Sequence, residues 1–311
     1  MNDLNEEIDP ESNFFKDVNN CLYYTDEQFK NNIKMDGCIS IIHFNSRSLY
    51  ANFKSIKEYL SKFITPFSVI AISETWLCSE REGNVELEGY DLNIMNRKKV
   101  NKTTGGGTAL YVDKRLKYKI VEKMTAAIED ICECVTVEID MEKKKNIIVS
   151  CVYREPKSSV DVFKDYMEEM FAKTEQKVAY ICGDYNLDLL NPHKYSGIDE
   201  FIAVMYSMSL YPIITQPSRI THHSATIIDN IFTNNLEDNM VSGLLINDIS
   251  DHLPVFVTYN CNYSLKKEEN IIRYKRLRNE AALEAFHNEL LAQNWHNVYE
   301  TENVDLAYDN F

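Results

Sequence analysis

Acids, amides and histidines in this 311-residue chain gather where apolar runs stop. His43-Phe44-Asn45 closes CISIIHF, and Ser73-Glu74-Thr75-Trp76 closes FSVIAIS. Tyr153, with Arg154 and Pro156 after it, closes NIIVSCVY, and Gly183-Asp184-Tyr185-Asn186 closes KVAYIC. Ile228-Asp229-Asn230 lies inside a further apolar run, and Ser250-Asp251-His252 opens the last one. Carboxylate and amide oxygens are the ligands of hard divalent cations, so Glu74, Asp251 and Asn45 suit a metal. His252 beside a carboxylate such as Asp229 makes an oriented base or an electrostatic partner. Asn186, Tyr153 and His252 offer donors for phosphate oxygens. These are the parts that phosphodiester hydrolysis needs: a held cation, a water to deprotonate and donors for a pentacovalent phosphate. Singly, each has a plainer reading. GD-x-N is a frequent turn signal, an Asp-His pair is more often structural, and Tyr153 alone reads as core. Joint occurrence beside apolar strands is what favours chemistry.

The elements that must position these groups are legible in the patterning. Leu49, Phe53, Ile56, Leu60 and Phe63 recur at helical spacing and predict a helix over about 48–63. The runs 38–44, 67–73 and 177–183 read as buried strands. YDLNIM, GTALYVD, CECVTVEI and NIIVSCVY, separated by turn signals, predict meandering antiparallel strands. Val160, Phe163, Met167 and Met170 mark one helix, and Ile198, Phe201, Ile202, Met205 and Met208 another. IIDNIFTN (227–234) and HLPVFVTY (252–259) close the set. Strand runs interleaved with a few helices predict an α/β (α+β) architecture of two stacked, mostly antiparallel sheets flanked by helices. The organisation expected is a loose acidic tail at 1–19, one domain at 20–260, then a linker with a basic cluster and a helical segment over 261–311.

The ordered set resembles the endonuclease/exonuclease/phosphatase family. HFNSRSLYANF, VIAISETWL, GGGTALYV, VSCVYREP, ICGDYNLDLL, SRITHHSATIIDNIFTN and ISDHLPV are similar to its LINE-type, non-LTR retrotransposon branch, over about residues 20–260. The resemblance implies a four-layer, DNase I-like sandwich, a DNA substrate that is nicked, and Mg2+ with Mn2+ as a substitute. It implies metal-side roles for Asn45, Glu74 and Asp251, a phosphate contact for Tyr153, and a central acid and amide in Asp184 and Asn186. Asp229 is implied to support His252, with either Asp184 or His252 taking the proton of the attacking water. Ser224 stands where the family has a small hydroxyl residue before the supporting Asp, with Thr226 as the competing choice. DNA contacts are expected from Arg154, from Arg97 in the basic run with Lys98, Lys99 and Lys102, and from Ser224, His222 and His223. The resemblance puts the last three in a hairpin that enters the minor groove. A solvated loop remains open for the basic run, and an exposed turn or a zinc ligand pair for the histidines. LINE nucleases are fused to a reverse transcriptase. No Tyr/Phe-x-Asp-Asp signature is present, and 270–311 resemble the connector before one. A truncated copy, an excised portion and a domesticated nuclease all stay open.

Composition sets outer bounds. Hydrophobic residues make 44% of the chain and aromatics 11%, which suits a folded globule rather than disorder. No apolar run reaches about 18 residues and the N-terminus is acidic, so neither a membrane span nor a signal peptide is expected. Eight scattered cysteines without a CxxC pair read as free buried thiols in a reducing compartment, nucleus or cytoplasm, and a monomer is expected. A net charge of −15 argues against a nucleic-acid binder, yet it is uneven. Residues 1–37 carry nine acids and three bases and 261–311 nine and six, which leaves a net charge of −6 for the centre. Gly105-Gly106-Gly107 has no following Lys-Ser/Thr, so a flexible turn is favoured over a P-loop. Three rival readings stand beside the nuclease: a small-molecule phosphatase, a repair-type abasic endonuclease and a non-catalytic interaction module.

Overall fold

The computed structural model describes residues 21–78, 84–97, 105–142, 144–172, 174, 177–194, 196–237, 239–261, 280–301 and 303–309. The predicted acidic tail, Lys98, Lys99, Lys102 and most of the predicted linker lie outside these. The chain divides into two compact units, 1–267 and 268–311.

Two seven-stranded mixed sheets dominate the first unit. The first contains β1 (Leu22–Tyr24), β2 (Cys38–Asn45), β3 (Val69–Ser73), β4 (Tyr90–Met95), β5 (Thr108–Asp113), β15 (Met240–Leu245) and β16 (Val255–Asn260), in the order β1-β15-β16-β2-β3-β5-β4. The second contains β6 (Tyr118–Ile120), β7 (Ala126–Ile128), β8 (Cys132–Ile139), β9 (Ile147–Arg154), β10 (Val178–Asp184), β11 (Tyr211–Pro212) and β14 (Asp229–Thr233). Its order is β11-β14-β10-β9-β8-β6, with β7 also on β8. A two-stranded hairpin of β12 (Arg219–Ile220) and β13 (Ala225–Thr226) stands apart. Pairing is mostly antiparallel as the patterning predicted, with β1–β15, β2–β3 and β9–β10 parallel.

Alternation along each strand sorts residues between three cores. Ile39 and Ile41, Val69 and Ala71, Val149 and Cys151, Tyr180 and Cys182, and Ile231 meet in the core between the sheets. Ile42, Phe44, Ile70 and Ile72 face outward onto α1 (Asp26–Asn32) and α2 (Leu49–Leu60). Ile148, Val152, Ala179 and Ile181 face α3 (Val160–Phe171) and α4 (Ile198–Ser207) on the other side. A fully buried aliphatic side chain contributes about 1.5–3 kcal/mol relative to exposure. Three such cores offset the cost of the buried carboxylates described below. The helix predicted over 48–63 stops at Leu60, and Phe63 packs from the loop beyond it. β1 and α1 were not anticipated. α1 begins with a capping box in which Thr25 and Gln28 satisfy each other's backbone N–H groups.

The second unit consists of α5 (Glu280–Ala292), α6 (His296–Tyr299) and α7 (Val304–Asp309). Among the described residues no helix is long and apolar enough to cross a membrane.

Candidate active site

The same period-two alternation that builds the inter-sheet core carries polar residues to its rim. Beyond Ile39 and Ile41 the inward positions of β2 are His43 and Asn45, and beyond Val149 and Cys151 on β9 comes Tyr153. Beyond Tyr180 and Cys182 on β10 comes Asp184, and before Ile231 on β14 comes Asp229. Register then lines them up, since Asp184 is the cross-strand partner of Tyr153 on one side and of Asp229 on the other. Asn45 is likewise the partner of Ser73, the residue before Glu74.

The side chains close into two linked groups. Asn45 donates from Nδ2 to Asp184 Oδ2 at 2.7 Å and to Glu74 Oε1 at 3.1 Å. Trp76 Nε1 donates to Glu74 Oε2 at 3.2 Å, and the Asn186 backbone N–H to Asp184 Oδ1 at 2.9 Å. In the second group His252 Nδ1 donates to Asp229 Oδ2 at 2.8 Å, and Ser218 Oγ donates to the same oxygen at 2.8 Å. Asp184, Asp229 and His252 have oxygen and nitrogen atoms within 4.8 Å of one another.

Burial sets the protonation of this cluster. It works against the ionised form of Asp229, but the His252 charge and hydrogen bond outweigh it and hold that carboxyl below its usual value. His252 resists burial through Asp229 and is raised to about 9. Burial, reinforced by the neighbouring Asp229, pushes Asp184 up to about 8. Tyr153 is raised by burial and by Glu74 and Asp184, which keeps the phenol a neutral donor.

Backbone strain collects at the same place. Arg47, Ser48, Glu74, Trp76 and Asn186 all have positive φ, at 43°, 90°, 51°, 52° and 47°. L-residues pay about 1–2 kcal/mol there, so neighbours must impose it. Ser48 N–H donates to Glu74 O and Leu49 N–H to Thr75 O, each at 2.9 Å, while Trp76 N–H donates to Gly106 O at 2.9 Å. The glycine run leads as a turn into β5, as expected, and also latches the Glu74 loop. A Cβ at Gly106 would run into the Arg97 guanidinium, and one at Gly107 into Thr75 Oγ1.

Several expected roles do not fit their places. Arg154 is only 3% exposed and donates to the backbone oxygens of Asn186 and Ser158, so no DNA backbone reaches it. Arg97 lies over the Tyr153 ring at 5.4 Å and pairs with Glu133 at 2.7 Å and Glu155 at 3.4 Å, where it shapes the phenol's surroundings rather than a basic loop. Asn45 turns its NH2 to the two acids and accepts the Arg47 N–H on Oδ1 at 3.1 Å, so it ties the acids together. Asn186 spends Nδ2 on Arg154 O at 2.7 Å. Asp251 is held at the rim by Arg47 at 2.8 Å and Arg219 at 2.7 Å, with its Oδ1 4.0 Å from His252 Nε2. Neither Ser224 nor Thr226 supports Asp229. Ser224 bonds Thr221 at the exposed hairpin tip, and Ser218 is the hydroxyl on the carboxylate. Its signal was the hairpin itself, because Ser218 N–H donates to Thr226 O and so brings Ser218 opposite the start of β14. His222 and His223 are exposed at that tip, and no metal-competent group among the described residues includes them.

The donor set fits a hard divalent cation. Glu74 and Asp184 present carboxylate oxygens side by side across Asn45, and Asp229 Oδ1 is buried without a hydrogen-bond partner. A cation centred on Asp184, Asp229 and His252 would compete with the His252–Asp229 hydrogen bond. One on the Glu74–Asp184 side leaves that bond intact.

Solved structures share this architecture. The chain is similar to the endonuclease domain of TRAS1, a telomere-specific non-LTR retrotransposon, at 14% identity and a TM-score of 0.55, over 73% of this chain and 100% of that one. It is similar to the AP endonuclease LMAP from Leishmania major at 13% identity and a TM-score of 0.61, over 81% and 95%. It is similar also to an AP endonuclease from Archaeoglobus fulgidus at 13% and 0.54, over 71% and 99%. No family model matches the chain, and no curated protein does. The fold is that of the DNase I-like endonuclease/exonuclease/phosphatase proteins.

Proposed function

We propose that this chain uses its DNase I-like fold to hydrolyse phosphodiester bonds in DNA, nicking one strand with a divalent cation of the magnesium class, as a retrotransposon-type endonuclease does. The observation that carries the reading is the buried Asp229–His252 pair standing one strand away from a carboxyl, Asp184, that is tied through Asn45 to Glu74. Glu74 and Asp184 would hold the cation, which when bound neutralises charge on the phosphate and on the leaving 3′ oxygen. His252, kept protonated through neutrality, donates to a phosphate oxygen and is a poor base. Burial keeps a proton on Asp184 near neutrality, so it would accept the proton of the attacking water only in the ionised form that a cation beside it would favour. Tyr153 donates to the phosphate, and the Asn186 backbone N–H fixes the Asp184 carboxyl. The hairpin tip with His222, His223 and Ser224 lies against duplex DNA beside the cut, since Arg219 at its base bridges to His252. The partner is therefore DNA, met in the nucleus or cytoplasm by a monomer that in retrotransposons is fused to a reverse transcriptase.

The likeness to two AP endonucleases favours one second reading, cleavage at abasic sites. Incubation of the purified chain with supercoiled plasmid, with and without Mg2+ or Mn2+, tests both together with an abasic duplex. Open circles formed only with the cation are expected. Plasmid left supercoiled under every cation would overturn plain nicking, and cleavage confined to the abasic duplex would favour the second reading.

A further inference from the structure

The rim of the site carries an ion-pair arrangement that the chemistry above leaves unused. Arg47 reaches Asp251 Oδ1 through Nη1 at 2.8 Å, while Arg219 reaches Oδ2 through Nε at 2.9 Å and Nη2 at 2.7 Å. One carboxylate thus holds two guanidinium groups, one oxygen each. The arginines come from different parts of the fold: Arg47 from the loop after β2, Arg219 from the base of the hairpin. Their side chains are 48% and 39% exposed, whereas that of Arg97 is 10% exposed and committed inward. Arg47 is close enough to feel Glu74 and Tyr153, and Arg219 forms a β-bridge with His252. The pair therefore stands at the mouth of the site.

Stability does not account for the arrangement, because exposed ion pairs are worth only about 0–1 kcal/mol. Recognition does. A guanidinium has five N–H donors in a planar fork that matches phosphate, and these two arginines spend three between them on Asp251. A chain of net charge −15 repels DNA at long range, so attraction must be concentrated near the cut. We propose that Arg47 and Arg219 form a two-point clamp on the backbone phosphates flanking the scissile bond, and that Asp251 is the post that sets their spacing. The clamp rests on the DNA-cleaving reading. It gives Asp251 a substrate-positioning role that the sequence alone did not suggest.

The test is binding of a fluorescent DNA duplex by the full chain in EDTA, over a series of salt concentrations, with thermal melts confirming that each variant folds. Arg47→Gln and Arg219→Gln are each expected to weaken binding about tenfold and to reduce the slope of log affinity against log salt by about 1. Arg47→Lys and Arg219→Lys keep the charge but lack the fork and are expected to recover the slope without recovering the affinity. Asp251→Asn is the discriminating variant. Simple electrostatics has DNA bind more tightly once a negative charge is gone, whereas a clamp that has lost its post binds more weakly. Tighter binding by Asp251→Asn, or unchanged affinity and slope in both Gln variants of a wild type that binds and nicks, would overturn the clamp alone. A wild type that neither binds nor nicks DNA would overturn the nuclease reading with it.

Discussion

In the proposed reaction the chemistry turns on His252 and Asp184: Asp229 raises the proton affinity of the first, and burial, reinforced by Asp229, that of the second. Loss of a transition-state donor or a proton acceptor typically costs about 10²-fold or more. His252→Ala and Asp184→Ala are each expected to slow plasmid nicking by at least that factor, with folding confirmed by circular dichroism. Near-wild-type nicking by either variant would remove its role. A second prediction concerns His43, which lies on the inward face of β2 and meets Ser73 Oγ at 3.0 Å. Burial lowers its pKa from 6.5 to about 4. The unfolded chain therefore takes up a proton near 6.5 that the folded chain refuses until about 4. His43 thus contributes stability above pH 6.5 that is lost as the pH falls toward 4. Asp184, raised from 3.8 to about 8, acts with the opposite sign throughout this window, so the comparison must be a difference. Between pH 7 and pH 4, wild type is expected to lose about 3 kcal/mol of stability relative to His43→Leu, read by denaturant unfolding. A difference that stays constant with pH would show that His43 is not held neutral by the fold.

At the scale of elements, two short segments govern the site. The first is the glycine latch. Gly107 has φ +85° and no room for a Cβ beside Thr75, while Gly89 has φ +84° and nothing within 4 Å. Gly89→Ala therefore reports backbone strain alone, about 1 kcal/mol. Gly107→Ala is expected to cost clearly more and to weaken nicking, because Thr75 and Glu74 must move. Equal losses in the two variants, measured by thermal melts, would mean that the latch does not position Glu74. The second segment is the hairpin tip. The minor groove distinguishes mainly A·T from G·C pairs, so a tip that entered it with two histidines would read groove width and the ease of deforming flexible steps. Replacing His222–Ala225 with a short Gly-Ser turn is expected to flatten the distribution of nick sites on a plasmid at fixed salt while cleavage continues. An unchanged site map would leave the tip as a solvated turn.

The first unit is a sandwich, and most of the thiols are buried in it. Cys21, Cys38, Cys132, Cys134, Cys151, Cys182 and Cys261 are buried and free, and Cys78 is exposed. Burial raises Cys134 to about 11 and pushes Cys151 well above its ordinary value, so the thiolates that react are suppressed there. One thiol, Cys78, is expected to react quickly with a chromogenic disulfide in the native protein, and the rest only after denaturation. Two or more fast thiols would show that the cores open more readily than their packing implies.

Strand alternation and helical spacing by themselves marked the longer strands other than β15, three of the flanking helices, and the places of Asn45, Tyr153 and Asp184 at strand ends and of Asp229 within a strand, because those patterns are local and repeat over many residues. Tertiary structure alone decided partnership. β1 is too short to register as a pattern and exists through its parallel pairing with β15. Arg47 and Asp251 lie 204 positions apart and meet because β16 pairs with β2, which sets the loop after one beside the loop before the other. An arginine in sequence reads as surface charge. Whether its guanidinium is exposed, as in Arg219, or enclosed, as in Arg97 and Arg154, depends on which carboxylate or carbonyl the fold delivers to it. Ser218 rather than Ser224 supports Asp229 for the same reason: the hairpin folds back between them, so distance along the chain is not distance in space.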